Sequence, residues 1–147
     1  MNFKVIGIYV TAKQDVILIP SGKSEKWGGA IVKLELYHLL EKGYTAEQLD
    51  QEIYQTFNEC YSQKPNDELK PSAIEKYLNI KGYAKATKGM KFVDVSWSNE
   101  DGYVVVPTIN LAKNGFDHME DQKIMLGKNV KPGELAEAVI RAMAISE

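Results

Sequence analysis

This chain of 147 residues is poor in the side chains that most often carry chemistry. It has one cysteine, Cys60, and two histidines, His38 and His118. One cysteine excludes an internal disulfide, and a reducing compartment agrees with that. No apolar run reaches membrane-spanning length. The first one, Phe3 to Val10, is too short and is not followed by a small-residue cleavage pattern. Neither a membrane span nor export is expected, and a cytoplasmic protein is the natural reading. The phosphate-loop spacing Gly-x-x-x-x-Gly-Lys-Ser/Thr is missing. Ser21-Gly22-Lys23-Ser24 matches only its tail and reads as a turn. Gly28-Gly29 and Gly7 belong to no nucleotide fingerprint. There is no internal repeat, low-complexity run or linker.

What is present suits one globular domain spanning 1–147. The apolar share is 44%, ordinary for such a domain and enough to bury a core. The net charge of −2 says little, but its distribution is uneven. Glu47, Asp50, Glu52, Glu59, Asp67 and Glu68 form one acidic block, with Lys64 as its lone base. Lys70, Lys76, Lys81, Lys85, Lys88 and Lys91 follow as a basic block around Glu75. Asp94, Glu100, Asp101, Asp117, Glu120 and Asp121 form a second acidic block around Lys113. Solvated faces are the default reading of such runs.

Hydrophobic periodicity gives the elements. Phe3 to Ala12 and Val16 to Ile19 read as strands, the second ended by Pro20, with Ser21 to Ser24 as a loop. Between Gly29 and Lys42 strand and helix patterns compete, and Leu36, Leu39, Leu40 and Gly43 favour a helix from about Leu34. Ala46 to Gln63 is the surest helix. Thr45 and Gln48 have the spacing of a capping box, and Leu49, Ile53, Phe57 and Cys60 make an apolar stripe. On that pattern Leu49, Ile53 and Phe57 are buried, while Glu47, Asp50 and Glu59 are solvated. Pro71 to Leu78 is a short helix opened by Pro71 or Ser72, and another turn or two fits Gly82 to Gly89. A hairpin spans Val93 to Pro107, turning at Asn99-Glu100-Asp101-Gly102, with Pro107 limiting pairing. Gly115-Phe116-Asp117-His118 reads as a loop and Lys123 to Leu126 as a short apolar run. Pro132 then opens an Ala-rich helix to Ser146 whose buried face is Leu135, Ala138, Val139 and Ala142.

Candidate chemistry is sparse. Cys60 lies on the apolar stripe and behaves as a small hydrophobe before it behaves as a nucleophile. His118 with Asp117, Glu120 and Asp121 has no metal-loop spacing. Tyr77, Tyr83 and Phe92 interleave the lysine block Lys70 to Lys91, the composition of a weak nucleic-acid surface. A pI near 5.8 opposes that use.

The order Gly102-Tyr103-Val104-Val105-Val106-Pro107-Thr108, then Gly115-Phe116, a short strand, and Glu134-Leu135-Ala136-Glu137-Ala138 running to Ser146 resembles the CdiI family of contact-dependent growth-inhibition immunity proteins. The likeness rests on Lys91 to Ser146. Family members often place a basic residue after the final Ser, where this chain has Glu147. The resemblance implies an α+β fold without enzymatic activity or cofactor. It implies a cytoplasmic protein that binds, one to one, the toxic C-terminal domain of a cognate CdiA effector. Such toxins are commonly nucleases, with RNA a frequent target. A nuclease site is basic because it holds phosphates, so an inhibitor can present carboxylates to it. On that reasoning the toxin-facing surface is expected at Glu100, Asp101, Asp117, Glu120 and Asp121, with Trp97 and Tyr103 as aromatic anchors. No nucleic-acid, membrane or metal partner is expected. Two other readings stand beside this one: a small enzyme using His118 and nearby carboxylates as acid and base, and a nucleic-acid module using Lys70 to Lys91.

Overall fold

In the computed structural model of the chain, which describes residues 2–147, alternation along the strands builds two apolar layers, one on each face of a sheet. The strands are β1 (Phe3–Val10), β2 (Val16–Ser24), β3 (Ala30–Lys33), β4 (His38–Leu40), β5 (Lys91–Ser98), β6 (Gly102–Asn110), β7 (Phe116–His118) and β8 (Ile124–Gly127). The helices are α1 (Ala46–Asn58), α2 (Ala73–Leu78), α3 (Tyr83–Ala86) and α4 (Glu134–Ile145). The sheet runs β3-β2-β1-β5-β6-β7, with β4 also on β2 and β8 also on β6. Every pairing is antiparallel. The class is α+β, as the resemblance implies.

Side chains two apart share a face of a strand. Ile6, Ile8 and Val10 of β1, Val16 and Leu18 of β2, and Val93 and Val95 of β5 join one core with Leu49, Ile53 and Phe57 of α1 and Leu135, Ala138, Val139 and Ala142 of α4. Both helices therefore bury the stripe that periodicity assigns them. Tyr9, Ile17, Ile19 and Phe92 point the other way and pack with Ala73 and Ile74 of α2. The central strands are apolar on both sides, which is why they read as near-continuous hydrophobic runs.

Prolines mark where long strands exchange partners. The β1–β2 ladder ends at Ile6–Pro20, and β2 then continues to Ser24 against β3. So Pro20 does not end the strand, and Ser21 to Ser24 is not a loop. The β5–β6 ladder likewise ends at Val93–Pro107, as expected, while β6 goes on to Asn110 against β7. Gly115 precedes β7, so Phe116-Asp117-His118 is an edge strand rather than loop. The expected helix from Leu34 is absent. His38 to Leu40 pair instead with Leu18 to Val16, because sheet pairing overrides a leucine spacing that suits either state.

Local signals set the helix starts. Thr45 and Gln48 form the reciprocal capping box at α1, and Ser72 and Glu75 form one at α2. α1 ends at Asn58, short of Gln63: Tyr61 takes a left-handed conformation and donates its N–H to the Ser21 carbonyl, drawing the chain off the helix axis onto β2. α4 begins at Glu134, with Gly133 rather than Pro132 at its threshold. Its other end closes on β6, where the Thr108 N–H donates to Ser146 Oγ and the Asn110 N–H to the Glu147 carbonyl. Thr108 and Ser146 are both buried, so two residues of the C-terminal signature meet in a clasp between strand and helix.

Candidate functional site

Where β1, β3, β5 and β7 face α2 and α3, the sheet leaves an open cleft of about 570 Å³. Its aromatic wall is built by residues from distant parts of the chain. Tyr9 lies 4.7 Å from Phe92, and Phe92 lies 5.1 Å from Phe116, between ring centroids. Tyr83 closes the wall: its ring is 6.2 Å from Phe116 and its hydroxyl is 3.0 Å from that of Tyr9. Burial, followed by the neighbouring Tyr83, holds the Tyr9 phenol well above its ordinary pKa. Phe3, Ile31 and Leu69 also line the cleft and remain 42%, 37% and 42% exposed. Three of the large apolar side chains left at the surface thus converge on one opening.

A row of charges crosses the cleft. Lys33, an exposed residue of edge strand β3, passes over Gly7 and brings Nζ to 5.2 Å from the Phe92 ring centre. Gly7 is required here, because a Cβ would stand 2.8 Å from Phe92 Cε1 and 2.9 Å from Lys33 Cε. Crowding around the ammonium lowers the Lys33 pKa, and the nearby Asp94 charge opposes that. Asp94 turns to His118, whose Nε2 is 3.0 Å away, and the other ring nitrogen faces Glu120 at 3.6 Å. The hydrogen bond to Asp94 raises the His118 pKa despite partial desolvation, with Asp94 and Glu120 adding attraction. His118 is therefore an ion-paired residue of β7 and not a free loop side chain.

A smaller hollow of about 250 Å³ adjoins the cleft and shares Phe3, Val5, Asp94 and His118 with it. Asp101, Glu120, Lys123 and Met125 complete its border. The fold thus brings Asp101 and Glu120 together. Asp117 alternates with His118 on β7 and lies on the opposite side of that strand. Glu100 and Asp121 are exposed in the adjoining turns. Trp97 and Tyr103 are cross-strand partners. They are half-buried against the α1/α4 core, where the Tyr103 ring meets Phe57 at 5.5 Å. They sit on the sheet face away from Asp94 and the cleft.

Elsewhere several charged side chains are engaged within the fold. His38 stands between Glu52, 2.9 Å from Nδ1, and Glu59, 2.6 Å from Nε2. Glu52 Oε2 is buried and makes no hydrogen bond despite this approach. Asp50 accepts from the Gly133 and Ala136 N–H groups, each at 3.1 Å. Asp50 and Glu59 are thus structural partners rather than solvated charges. Two lysines of the basic block are engaged: Lys76 pairs with Glu35 and Lys91 donates to the Met143 carbonyl. Among the described residues no cluster of three or more His, Cys, Asp or Glu suits a metal ion, and no helix is long and apolar enough to cross a membrane. Cys60 is buried, and desolvation raises its thiol pKa.

Sequence reasoning overlooked Lys33 and the aromatic wall. The signal that could have exposed them is Gly7, a glycine inside a β-branched strand, which marks close approach by another group.

The sequence matches no family model and no curated protein. Solved structures do share the fold. A Neisseria meningitidis protein of unknown function superposes with a TM-score of 0.73 at 14% identity, over 99% of this chain and 96% of that one. A chain of the CdiA-CT/CdiI toxin and immunity complex from Yersinia pseudotuberculosis superposes with a TM-score of 0.72 at 12% identity, over 100% of this chain and 99% of that one.

Proposed function

We propose that this chain is an immunity protein. It binds the toxic C-terminal domain of a cognate CdiA effector in the cytoplasm, one to one, and occludes that domain's active site. The observation that carries the reading is the end-to-end likeness to a chain of a toxin and immunity complex. Such a complex has two sides. The immunity side is favoured by the sequence resemblance over Lys91 to Ser146. The toxin is a nuclease, with RNA its first candidate substrate, and the protein itself turns over no substrate.

The toxin-facing surface is the acidic border of the small hollow, Asp101 and Glu120, together with the carboxylates beside it: Glu100 and Asp121, and Asp117 on the other side of β7. Carboxylates there would meet the basic groups with which a nuclease holds phosphate. Met125, 54% exposed, supplies apolar contact at the same place. A partner would reach Trp97 and Tyr103 only by wrapping around the hairpin end, so they act as secondary anchors. The test is calorimetric titration with the toxin domain encoded directly upstream, paired with growth protection in cells expressing that domain. Nanomolar one-to-one binding with protection is expected. Absence of binding at micromolar concentrations would overturn the proposal.

One observation favours a runner-up reading. His118 oriented by Asp94 at a cleft wall has the geometry of an acid–base pair. That reading requires a turnover that His118→Ala abolishes, whereas the immunity reading has no turnover to lose.

A further inference from the structure

The charged residues that line the large cleft mostly face a partner of opposite type. Glu35 bonds Lys76 at 3.2 Å, and Asp94 faces His118 at 3.0 Å. Glu68 stands exposed at the rim. Lys33 is different. Among the described residues no carboxylate lies within 4.0 Å of its nitrogen, and its ammonium rests over an aromatic face instead. A ring quadrupole attracts a cation but neutralises none of its charge. The ammonium keeps donors to offer, and it offers them beside the rings of Tyr9, Phe92 and Phe116. A cleft of this volume that sets aromatic rings beside convergent polar groups has the form of a small-molecule site. Burial lowers the Lys33 pKa, and the charge of Asp94, beyond ion-pair distance, works against that.

We propose that this cleft binds a small aromatic carboxylate, with its carboxylate on Lys33 and its ring against Phe92 and Phe116. The anion must enter carboxylate first, because Glu68 repels it at the rim while Phe3, Ile31 and Leu69 receive its apolar end. A neutral aromatic gains only the wall. A small anion without an apolar body gains only Lys33, against the opposing field of Asp94. The site needs both halves, and that sets the ligand class.

The experiment titrates the free chain calorimetrically with 2-naphthoate and with neutral 2-naphthamide. Naphthoate is expected to bind at a single saturable site at least about tenfold more tightly than the amide, the usual weight of a charge-assisted hydrogen bond. Lys33→Met is expected to bring the acid down to the affinity of the amide and leave the amide nearly unchanged. Lys33→Arg should retain most of the preference. Near-ultraviolet circular dichroism confirms that each variant is folded. Equal binding of acid and amide by the unmodified chain, or an unchanged preference in Lys33→Met, overturns the proposal. So does absence of saturable binding, including the case in which Lys33→Met weakens only toxin binding and places Lys33 in a protein interface. No toxin enters the titration, so this proposal and the immunity reading fail independently.

Discussion

His118 has two carboxylates as neighbours, and this makes its charge state a stability term. Its folded pKa is raised, with the Asp94 hydrogen bond as the leading cause. The pair's contribution is therefore fully present below the unfolded pKa, about 6.5. It declines as pH rises past that value and is lost above the folded one. The imidazole is 41% exposed, so screening holds the effect to about 1 kcal/mol or less. Urea melts from pH 5.5 to 8.5 should show this decline in the native chain and lose it in His118→Gln. An unchanged profile in the variant would mean that another group sets the slope. Phe57 presents the opposite case, a residue whose role is pure burial. It is 4% exposed between α1 and the sheet and packs edge-on against Tyr103. Phe57→Ala should cost about 3–5 kcal/mol. A denaturant melt that finds less than about 1 kcal/mol would remove that face of α1 from the core.

Among the elements, α4 depends on a residue 83 positions upstream. Gly133 stands at its threshold and has no side chain to cap the first turn. Asp50 of α1 supplies the missing acceptor, taking the Gly133 and Ala136 N–H groups on its two oxygens. Its negative charge also sits at the positive end of the α4 dipole. Asp50→Ala should destabilise the protein by about 1–2 kcal/mol, in the range of a lost cap. Amide exchange at Ala136 should accelerate more than exchange at Leu49. Equal acceleration at both would show that α1, not α4, depends on the carboxylate. The contrast with Thr45 explains what the sequence makes legible. The α1 box closes within four consecutive residues, so spacing reveals it. The Asp50 cap joins two helices, and nothing within three residues of Asp50 announces it; there it reads as a solvated acid suited to its own helix. Likewise Leu36, Leu39 and Leu40 fit either a helix end or a short strand, and only pairing with β2 selects the strand. The cleft is less legible still. Tyr9, Lys33, Phe92 and Phe116 come from four strands, and only Gly7 hints locally that something crosses there.

At the scale of the whole molecule, the sheet separates two kinds of surface. One face is closed by α1 and α4. On the other, the aromatic cleft passes into the acidic border of the small hollow, with the Asp94–His118 pair between them. If the proposed function holds, a basic nuclease would be drawn to the acidic side before any contact forms, and carboxylates near the hairpin and β7 would dominate that attraction. Replacing Asp101, Asp117, Glu120 and Asp121 together by lysine reverses the local field while leaving both cores untouched. Glu120 also neighbours His118 and Lys123, so the variant's fold must be confirmed by its melt before binding is read. Stopped-flow association with the upstream-encoded toxin domain should then slow by tenfold or more at low salt, an order of magnitude typical of lost steering. The salt dependence of the association rate should flatten, and the dissociation rate should change less. The same rate and affinity at low salt would move the interface off this border. The next surface to reverse would then be the exposed Glu47 side of α1, with Asp50 left in place because it caps α4.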